Sequence, residues 1–259
     1  MPTVEQLVSA WITHFRSADL SMRYVSAERE VSVPLGDNVI LAGRLDAEGE
    51  DFFCDWKSLN PRRRSGWREA WRFHPQSLTY GLLRRELGHP GRRFTIRCAF
   101  KSDPPSFDHE WFEYSEKELD TWRAEVIRIA YQMGESENQP HWALNPLSCY
   151  RWGPSYPCPS VRACVNAEWD VPLANMVKRV PHLDIERQRF RILEDGEADS
   201  NEHAPMILDA TRITRYLECP ERYRREYIRQ EVEPPGDALT FGIGFHTYLN
   251  EYYRSLING

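Results

Sequence analysis

The feature that most constrains the fold is a set of three short β-rich runs between Glu28 and Lys57. The runs cover residues 31–33, 39–41 and 52–54, and turn-forming residues separate them at 36–38 and 48–50. This spacing predicts a three-stranded antiparallel meander. The flanking segments must therefore pack against a sheet.

Helical patterns surround these strands. Residues 4–16 place apolar side chains on one face of a helix, namely Val4, Leu7, Val8, Trp11, Ile12 and Phe15. Residues 67–87 are predicted to be helical and residues 94–100 to form a strand. A capping box at 115–118 predicts a helix to about Met133, and helical texture returns over 207–257. The order of elements predicts an α/β fold with a central mixed sheet flanked by helices.

Length and charge limit the function classes. A chain of 259 residues that is 41% hydrophobic can bury one good core. A net charge of −6 argues against a surface that coats nucleic acid, but it permits a local basic track. The sequence has no run of about 18 apolar residues and no basic-then-apolar start, so we predict a soluble, cytoplasmic protein.

The cysteines suggest a second site. In a reducing compartment the six cysteines are expected to be metal or cluster ligands, or buried thiols, rather than disulfides. Cys149, Cys158 and Cys164 lie in an irregular stretch rich in Pro and Trp between residues 135 and 165. Because regular periodicity fails there, some other group must order the backbone.

The strongest chemical signal joins Asp46 to the triplet Asp55-Trp56-Lys57, which follows after eight intervening residues. Side chains alternate along a strand, so Asp55 and Lys57 share a face, and Asp46 on the neighbouring strand can meet them. Two carboxylates open to solvent suit Mg²⁺ or Mn²⁺ and phosphodiester hydrolysis. Lys57 could orient the attacking water and offset charge on the phosphate.

Together with Gly43-Arg44-Leu45-Asp46, this constellation resembles the PD-(D/E)XK nuclease superfamily, in the branch of RecB-like exonucleases, AddB, CRISPR adaptation nucleases and phage-encoded relatives. Upstream, Glu28 matches the family's acidic position better than Glu30. Gln76 and Tyr80 match its Q-x-x-x-Y motif, whose spacing puts both side chains on one helix face. His246 ends a segment that resembles the family's G-x-x-x-H motif. The resemblance implies a restriction-endonuclease-like core.

The cysteine stretch resembles the cysteine-rich tail of phage RecB-like nucleases. The resemblance makes Cys149, Cys158 and Cys164 ligands of a 4Fe-4S cluster, and Cys219, followed by proline, would supply the fourth thiolate. Zn²⁺ bound by the same four thiolates is the alternative. Cys54 and Cys98 lie in predicted strands and are expected to be inert buried thiols.

The motif order is rotated relative to the family, because the Cys-Pro and histidine segments follow the acidic strands. One explanation is a circular permutation, in which the C-terminal helix packs beside the first helix and completes one core. The other is that the chain ends inside the start of a second nuclease domain. We divide the chain into a nuclease core with its cysteine-rich tail at 1–169, a linker at 170–205 that contains the acidic run 194–202, and a helical segment at 206–259 that completes the core.

The sequence therefore predicts a Mg²⁺- or Mn²⁺-dependent nuclease that acts on single-stranded DNA ends. Asp46, Asp55, Glu28 and His246 would hold the metal, with Lys57, Gln76 and Tyr80 as further catalytic residues. The residues predicted to bind DNA are Arg62, Arg63, Arg64 and Arg84. A helicase or recombination partner is compatible with the resemblance, and a phage-encoded protein would act in the host cytoplasm. One alternative is a catalytically weak DNA-binding or assembly module, and another is a zinc-stapled interaction protein.

Overall fold

The computed structural model describes residues 2–36, 38–63, 65–89, 93–139, 142–149, 158, 160–161, 164, 176–180, 183–186 and 205–259. The chain forms two compact units. The first comprises Met1–Val33, Leu41–Trp122 and Pro235–Gly259, and the second comprises Pro34–Ile40 and Arg123–Pro234. Most of the predicted linker at 170–205 lies outside the described residues.

A mixed sheet lies mainly in the first unit, with five strands along its main path and a sixth, short strand (Met206–Leu208) paired with the second of them. The five strands are β1 (Tyr24–Gly36), β2 (Val39–Gly49), β3 (Phe52–Leu59), β4 (Arg93–Phe100) and β5 (Ser106–Glu113), in the order β1-β2-β3-β4-β5. β2 and β3 are antiparallel, β3 and β4 are parallel, and β4 and β5 are antiparallel. The predicted α/β class and mixed sheet are confirmed, and the strands are longer than predicted.

One face of the sheet packs against the first and last helices, α1 (Val4–Ser21) and α8 (Asp237–Asn258). A capping box between Thr3 and Gln6 starts α1, and its predicted apolar face is the buried one. The ring of Trp11 on α1 meets that of Phe245 on α8 edge to face at 5.5 Å. The N- and C-terminal helices therefore share one core.

The other face carries α3 (Pro75–Glu86), which follows the short helix α2 (Trp67–Arg72). The sequence predicted one helix over 67–87, but Pro75 divides it. Proline lacks an N–H and disfavours helical geometry at the preceding residue, whereas it fits the first turn of a new helix. α4 (Glu116–Glu137) begins at the predicted Ser115–Glu118 capping box and ends four residues beyond the predicted Met133.

The second unit contains most of α4 and a set of short elements. These are α5 (Pro146–Cys149), β6 (Val177–Lys178), β7 (Met206–Leu208), α6 (Ala210–Glu218), α7 (Pro220–Tyr223), a π-helical turn (Arg224–Ile228) and β8 (Glu231–Val232), with β6 and β8 paired antiparallel. Ring stacking orders its core, because Trp142 stacks on Tyr223 and Tyr223 on Tyr227. None of the helices in the described part of the chain has the length and hydropathy needed to cross a membrane.

Candidate active site

Two buried carboxylates lie side by side on β2 and β3. Ala47 is opposite Cys54 in the antiparallel register, so the next pair of residues opposite each other is Asp46 and Asp55. Asp46 Oδ2 accepts a hydrogen bond from the backbone N–H of Trp56 at 2.6 Å. Asp46 is 7% exposed and Asp55 is fully buried. Two carboxylates this close repel each other unless a cation lies between or beside them.

Lys57 supplies one such cation. Its Nζ lies 2.6 Å from Asp55 Oδ2, as strand alternation requires of residues two apart. The intervening Trp56 points to the opposite face, where its ring stacks on that of Tyr253 at 4.5 Å. The sheet therefore places Asp55 and Lys57 on one face and Trp56 on the other.

Gln76 and Tyr80 approach the same carboxylates from α3. Gln76 Nε2 donates to Asp55 Oδ1 at 2.7 Å and to the hydroxyl of Tyr80 at 3.0 Å. The Tyr80 hydroxyl donates to the carbonyl of Arg44 on β2 at 2.9 Å. Gly43 permits this close packing, since a Cβ there would lie 2.9 Å from Leu83 Cδ1 and 3.1 Å from Tyr80 Cε1. The two side chains thus hold Asp55 in one orientation and fix α3 on β2.

His246 and Glu28 complete a group of possible metal ligands with Asp46. His246 Nδ1 is 3.5 Å from Asp46 Oδ1 and 3.8 Å from Glu28 Oε1, and one ligand atom from each of the three lies within 4.8 Å of the others. Glu28 has a φ of 51°, which is uncommon for a non-glycine residue. Such backbone strain often occurs at functional sites, and here it occurs at a residue whose carboxylate belongs to the group of possible metal ligands.

The pKa values reflect the crowding of charge. Burial raises the pKa of Asp55, Lys57 lowers it and Asp46 raises it, with a net rise to about 7. Burial lowers the pKa of His246, but the interactions with Asp46 and Glu28 together outweigh burial and raise it to about 10. The His246 proton therefore balances carboxylate charge, and a divalent cation held by the same groups would displace it.

The donor set fits a divalent metal ion. Carboxylate oxygens are the ligands that Mg²⁺ and Mn²⁺ prefer, whereas imidazole is more typical of transition metals. A set of two carboxylates and one imidazole thus suits Mn²⁺ and is compatible with Mg²⁺. Asp55 lies outside the group of three, because its two oxygens bind Gln76 and Lys57.

The arginines predicted to bind DNA have different positions. Arg62 is exposed in the 3₁₀ turn Pro61–Arg63, just after β3, and its backbone N–H donates to Asn60 Oδ1. Arg63 belongs to the same turn, and Arg64 lies outside the described residues.

The structure does not support Arg84 as a DNA-binding residue. Arg84 is only 2% exposed, pairs with Glu48 and donates to the carbonyls of Phe52 and Glu50 at 3.1 and 2.7 Å. Its guanidinium therefore ties α3 to the turn between β2 and β3. A cluster of arginines in a sequence does not reveal which of them faces inward.

The four cysteines assigned to a cluster all belong to the second unit and are free thiols. The N–H of Cys158 donates to the carbonyl of Cys149 at 2.7 Å, and Cys219 precedes α7 as its N-cap. Asn145 Nδ2 and Ser148 Oγ both donate to the carbonyl of Glu218, at 2.8 and 2.6 Å. These bonds tie the segment that carries Cys149 to the residue just before Cys219.

The thiols also influence one another electrostatically. Burial is the main cause that raises the pKa of Cys149, and Cys158 and Cys219 add to the rise. Burial is likewise the main cause that raises the pKa of Cys164 to about 11. Glu221 adds to the rise, Arg225 opposes it, and Cys219 and Cys158 contribute less. Four thiolates are a ligand set that iron-sulfur clusters and Zn²⁺ accept, but among the described residues no three of these four thiols have sulfur atoms that all lie within 4.8 Å of one another. Cys54 and Cys98 are buried strand residues in the first unit, and burial raises the pKa of each.

Sequence reasoning missed two groups near the site. The ring of Trp71 lies 5.4 Å from Lys57 Nζ and 4.3 Å from the ring of His74. On the opposite face, Arg97 forms a buried ion pair with Asp19, and both contact the hydroxyl of Tyr253. Pro75, which divides the helix, was the sequence signal that could have indicated the position of Trp71 and His74. No such signal exists for Asp19, Arg97 and Tyr253, because they lie far apart in the sequence.

No protein-family model matches this chain, and no curated protein sequence is significantly similar to it. A functional interpretation therefore depends on the arrangement of the residues described above and on the chemistry that this arrangement permits.

Proposed function

We propose that this protein is a metal-dependent nuclease of the PD-(D/E)XK type that hydrolyses phosphodiester bonds at single-stranded DNA ends. The observation that carries the proposal is the convergence of three elements on one buried position. β2 and β3 bring Asp46, Asp55 and Lys57 together, and α8 adds His246 from the other end of the chain. An ion pair that was merely structural would not need a third carboxylate and an imidazole within ligand distance.

Each side chain has a defined part in the proposed chemistry. Asp46, Glu28 and His246 would hold a Mn²⁺ or Mg²⁺ ion with Asp55 beside them, and the ion would activate a water and stabilise charge on the phosphate. Lys57 stands next to the carboxylates, where its ammonium can orient that water and offset the charge of the transition state. Gln76 keeps Asp55 in place through its 2.7 Å hydrogen bond.

We propose that one copy of the chain carries all the residues of the site. His246 reaches Asp46 within one compact unit, and α8 packs beside α1 in the same core. This arrangement supports a circular permutation of the family's motif order rather than a chain that borrows a histidine from a second copy. A monomer should then be active.

The test is a cleavage assay on linear and circular single-stranded DNA with Mn²⁺ or Mg²⁺, using anaerobically purified protein. We expect degradation of the linear DNA, inhibition by EDTA and resistance of the circle, since the proposal requires an end. Cleavage of the circle would identify an endonuclease. DNA binding without any cleavage would favour the alternative of a binding or assembly module.

Metal binding should depend on His246. We expect His246→Ala to weaken Mn²⁺ affinity by more than about tenfold, because even the loss of a group that only supports a metal ligand costs roughly 10- to 100-fold. Isothermal titration calorimetry with Mn²⁺ measures the change. His89→Ala is a matched control, because that histidine is also half-buried beside a carboxylate, Glu48. Equal Mn²⁺ affinity in the two variants would contradict the assignment.

We further propose that Cys149, Cys158, Cys164 and Cys219 hold a 4Fe-4S cluster, with Zn²⁺ as the alternative. The wild-type protein should then be brown and contain about four irons per chain. Cys158→Ser should lose the colour and the iron, whereas Cys54→Ala should retain both, since Cys54 is a core residue of the other unit. Elemental analysis and the visible spectrum distinguish the outcomes. A colourless protein that contains zinc would show that the four thiolates bind Zn²⁺ instead of a cluster. Iron retained by Cys158→Ser would contradict the assignment of Cys158 as a ligand.

A further inference from the structure

An aromatic group lies where α2 ends and α3 begins. Trp71 and His74 pack against each other there, and Phe73 lies between them in the sequence; we call these three residues the aromatic shelf. Phe73 is 74% exposed, whereas Trp71 and His74 are half-buried with their rings 4.3 Å apart. A single exposed phenylalanine is ordinary on a protein surface. The position of this one makes it informative.

The shelf is continuous with the candidate active site. Lys57 Nζ lies 5.4 Å from the centroid of the Trp71 ring, within the range of a cation–π contact. His74 Nδ1 accepts the backbone N–H of Gln76 at 3.2 Å, and the side chain of Gln76 donates to Asp55. Contacts therefore run from the proposed catalytic lysine and carboxylate to Trp71 and His74, between which Phe73 lies in the sequence.

The shelf also rests on a fixed support. Arg68 on α2 pairs with Asp108 at 2.7 Å and with Glu110 at 2.9 Å, both on β5. Arg72 pairs with Glu118 at 2.6 Å, and its carbonyl accepts the hydroxyl of Tyr114 at 2.9 Å. These bonds anchor both ends of α2 to the rest of the unit. Phe73 is thus held open to solvent without packing against the core, as a preformed binding surface requires.

We propose that the aromatic shelf binds an unpaired base of the DNA strand beside the scissile phosphate, with Phe73 as the stacking surface. This inference rests on the proposed nuclease function, and it names the feature of the substrate that the site recognises. The phosphate must approach Lys57, so the adjoining base lies within reach of the rings next to that lysine. Aromatic rings bind the faces of unpaired bases with little sequence preference, whereas bases stacked inside a duplex do not offer those faces. The shelf accordingly selects single-stranded DNA.

The test measures binding of a fluorescein-labelled oligothymidine by anisotropy, with Ca²⁺ in place of Mn²⁺ to limit cleavage. Phe73→Ala should weaken binding by about 5- to 150-fold, the range for loss of one base–aromatic stack. Phe73→Tyr keeps the ring and should bind as the wild type does. Tyr131→Ala removes an aromatic side chain that is 71% exposed on α4 and serves as the matched control.

A series of oligonucleotides with one abasic residue, moved stepwise from an end, separates stacking from indirect effects. At the position that faces the shelf, removal of the base should weaken wild-type binding, and Phe73→Ala should then cause no further loss. A constant effect of Phe73→Ala at every abasic position, or no effect on intact DNA, would overturn the inference.

The experiments distinguish failure of base stacking at Phe73 from failure of the proposed nuclease function. Wild-type protein that cleaves DNA while Phe73→Ala binds normally would refute the shelf and leave the nuclease standing. Protein that binds through Phe73 but never cleaves with Mn²⁺ would refute the nuclease and leave a base-binding surface. Absence of any binding to single-stranded DNA would overturn both.

Discussion

Replacement of Lys57 by alanine is expected to lower the rate of DNA cleavage by about 10²- to 10³-fold, the usual cost of removing one group that stabilises transition-state charge. The ammonium is 2.6 Å from Asp55 Oδ2, where it can offset charge that develops on the phosphate. Single-turnover cleavage of an end-labelled oligonucleotide with saturating Mn²⁺ measures the effect. Binding of the DNA should change little, because most binding energy comes from other contacts along the strand.

The control for this variant is Lys117→Ala, which removes an exposed lysine from the first turn of α4 in the same unit. Mn²⁺ affinity should be measured in both variants, because loss of Lys57 also leaves the buried Asp55 without its partner. A parallel fall in metal affinity and cleavage would assign Lys57 to the metal site rather than to the chemical step. Cleavage by Lys57→Ala at the wild-type rate would contradict the mechanism.

The parts of the fold that the sequence predicted depend on short-range patterns. Alternation along a strand placed Asp55 and Lys57 on one face, and a spacing of four placed Gln76 and Tyr80 on one helix face, because both periods follow from backbone geometry. The capping box at Ser115 likewise depends only on residues three apart. Such contacts hold wherever the element sits in the fold.

The parts that the sequence did not predict depend on tertiary packing. Arg84 is in an arginine-rich helix, but its guanidinium faces inward because acceptors at and beside the β2–β3 turn satisfy it. Trp71 lies beside Lys57 only because Pro75 divides the helix and Arg68 anchors its first part to β5. The parallel pairing of β3 with β4 also joins distant segments. No local period encodes these relationships.

The largest effect on stability is expected from Asp19. Its carboxylate forms an ion pair with Arg97, and it accepts hydroxyl hydrogen bonds from Tyr24 at 2.7 Å and Tyr253 at 3.2 Å. Asp19 and Arg97 are only 1% and 2% exposed. Asp19→Ala leaves the guanidinium buried without its counter-charge, which typically costs 3–5 kcal/mol, roughly a third to a half of the stability of an ordinary domain.

Urea denaturation of the wild type, Asp19→Ala and Asp120→Ala measures this difference. Asp120 also pairs with an arginine, Arg85, at 2.7 Å, but its side chain is 71% exposed, so its loss should cost no more than about 1 kcal/mol. Asp19→Ala combined with Arg97→Met removes both buried charges and should recover part of the lost stability, because an unpaired charge costs more than a missing pair. If the double variant is less stable than Asp19→Ala, packing around Tyr253, rather than charge compensation, holds α8 to the sheet.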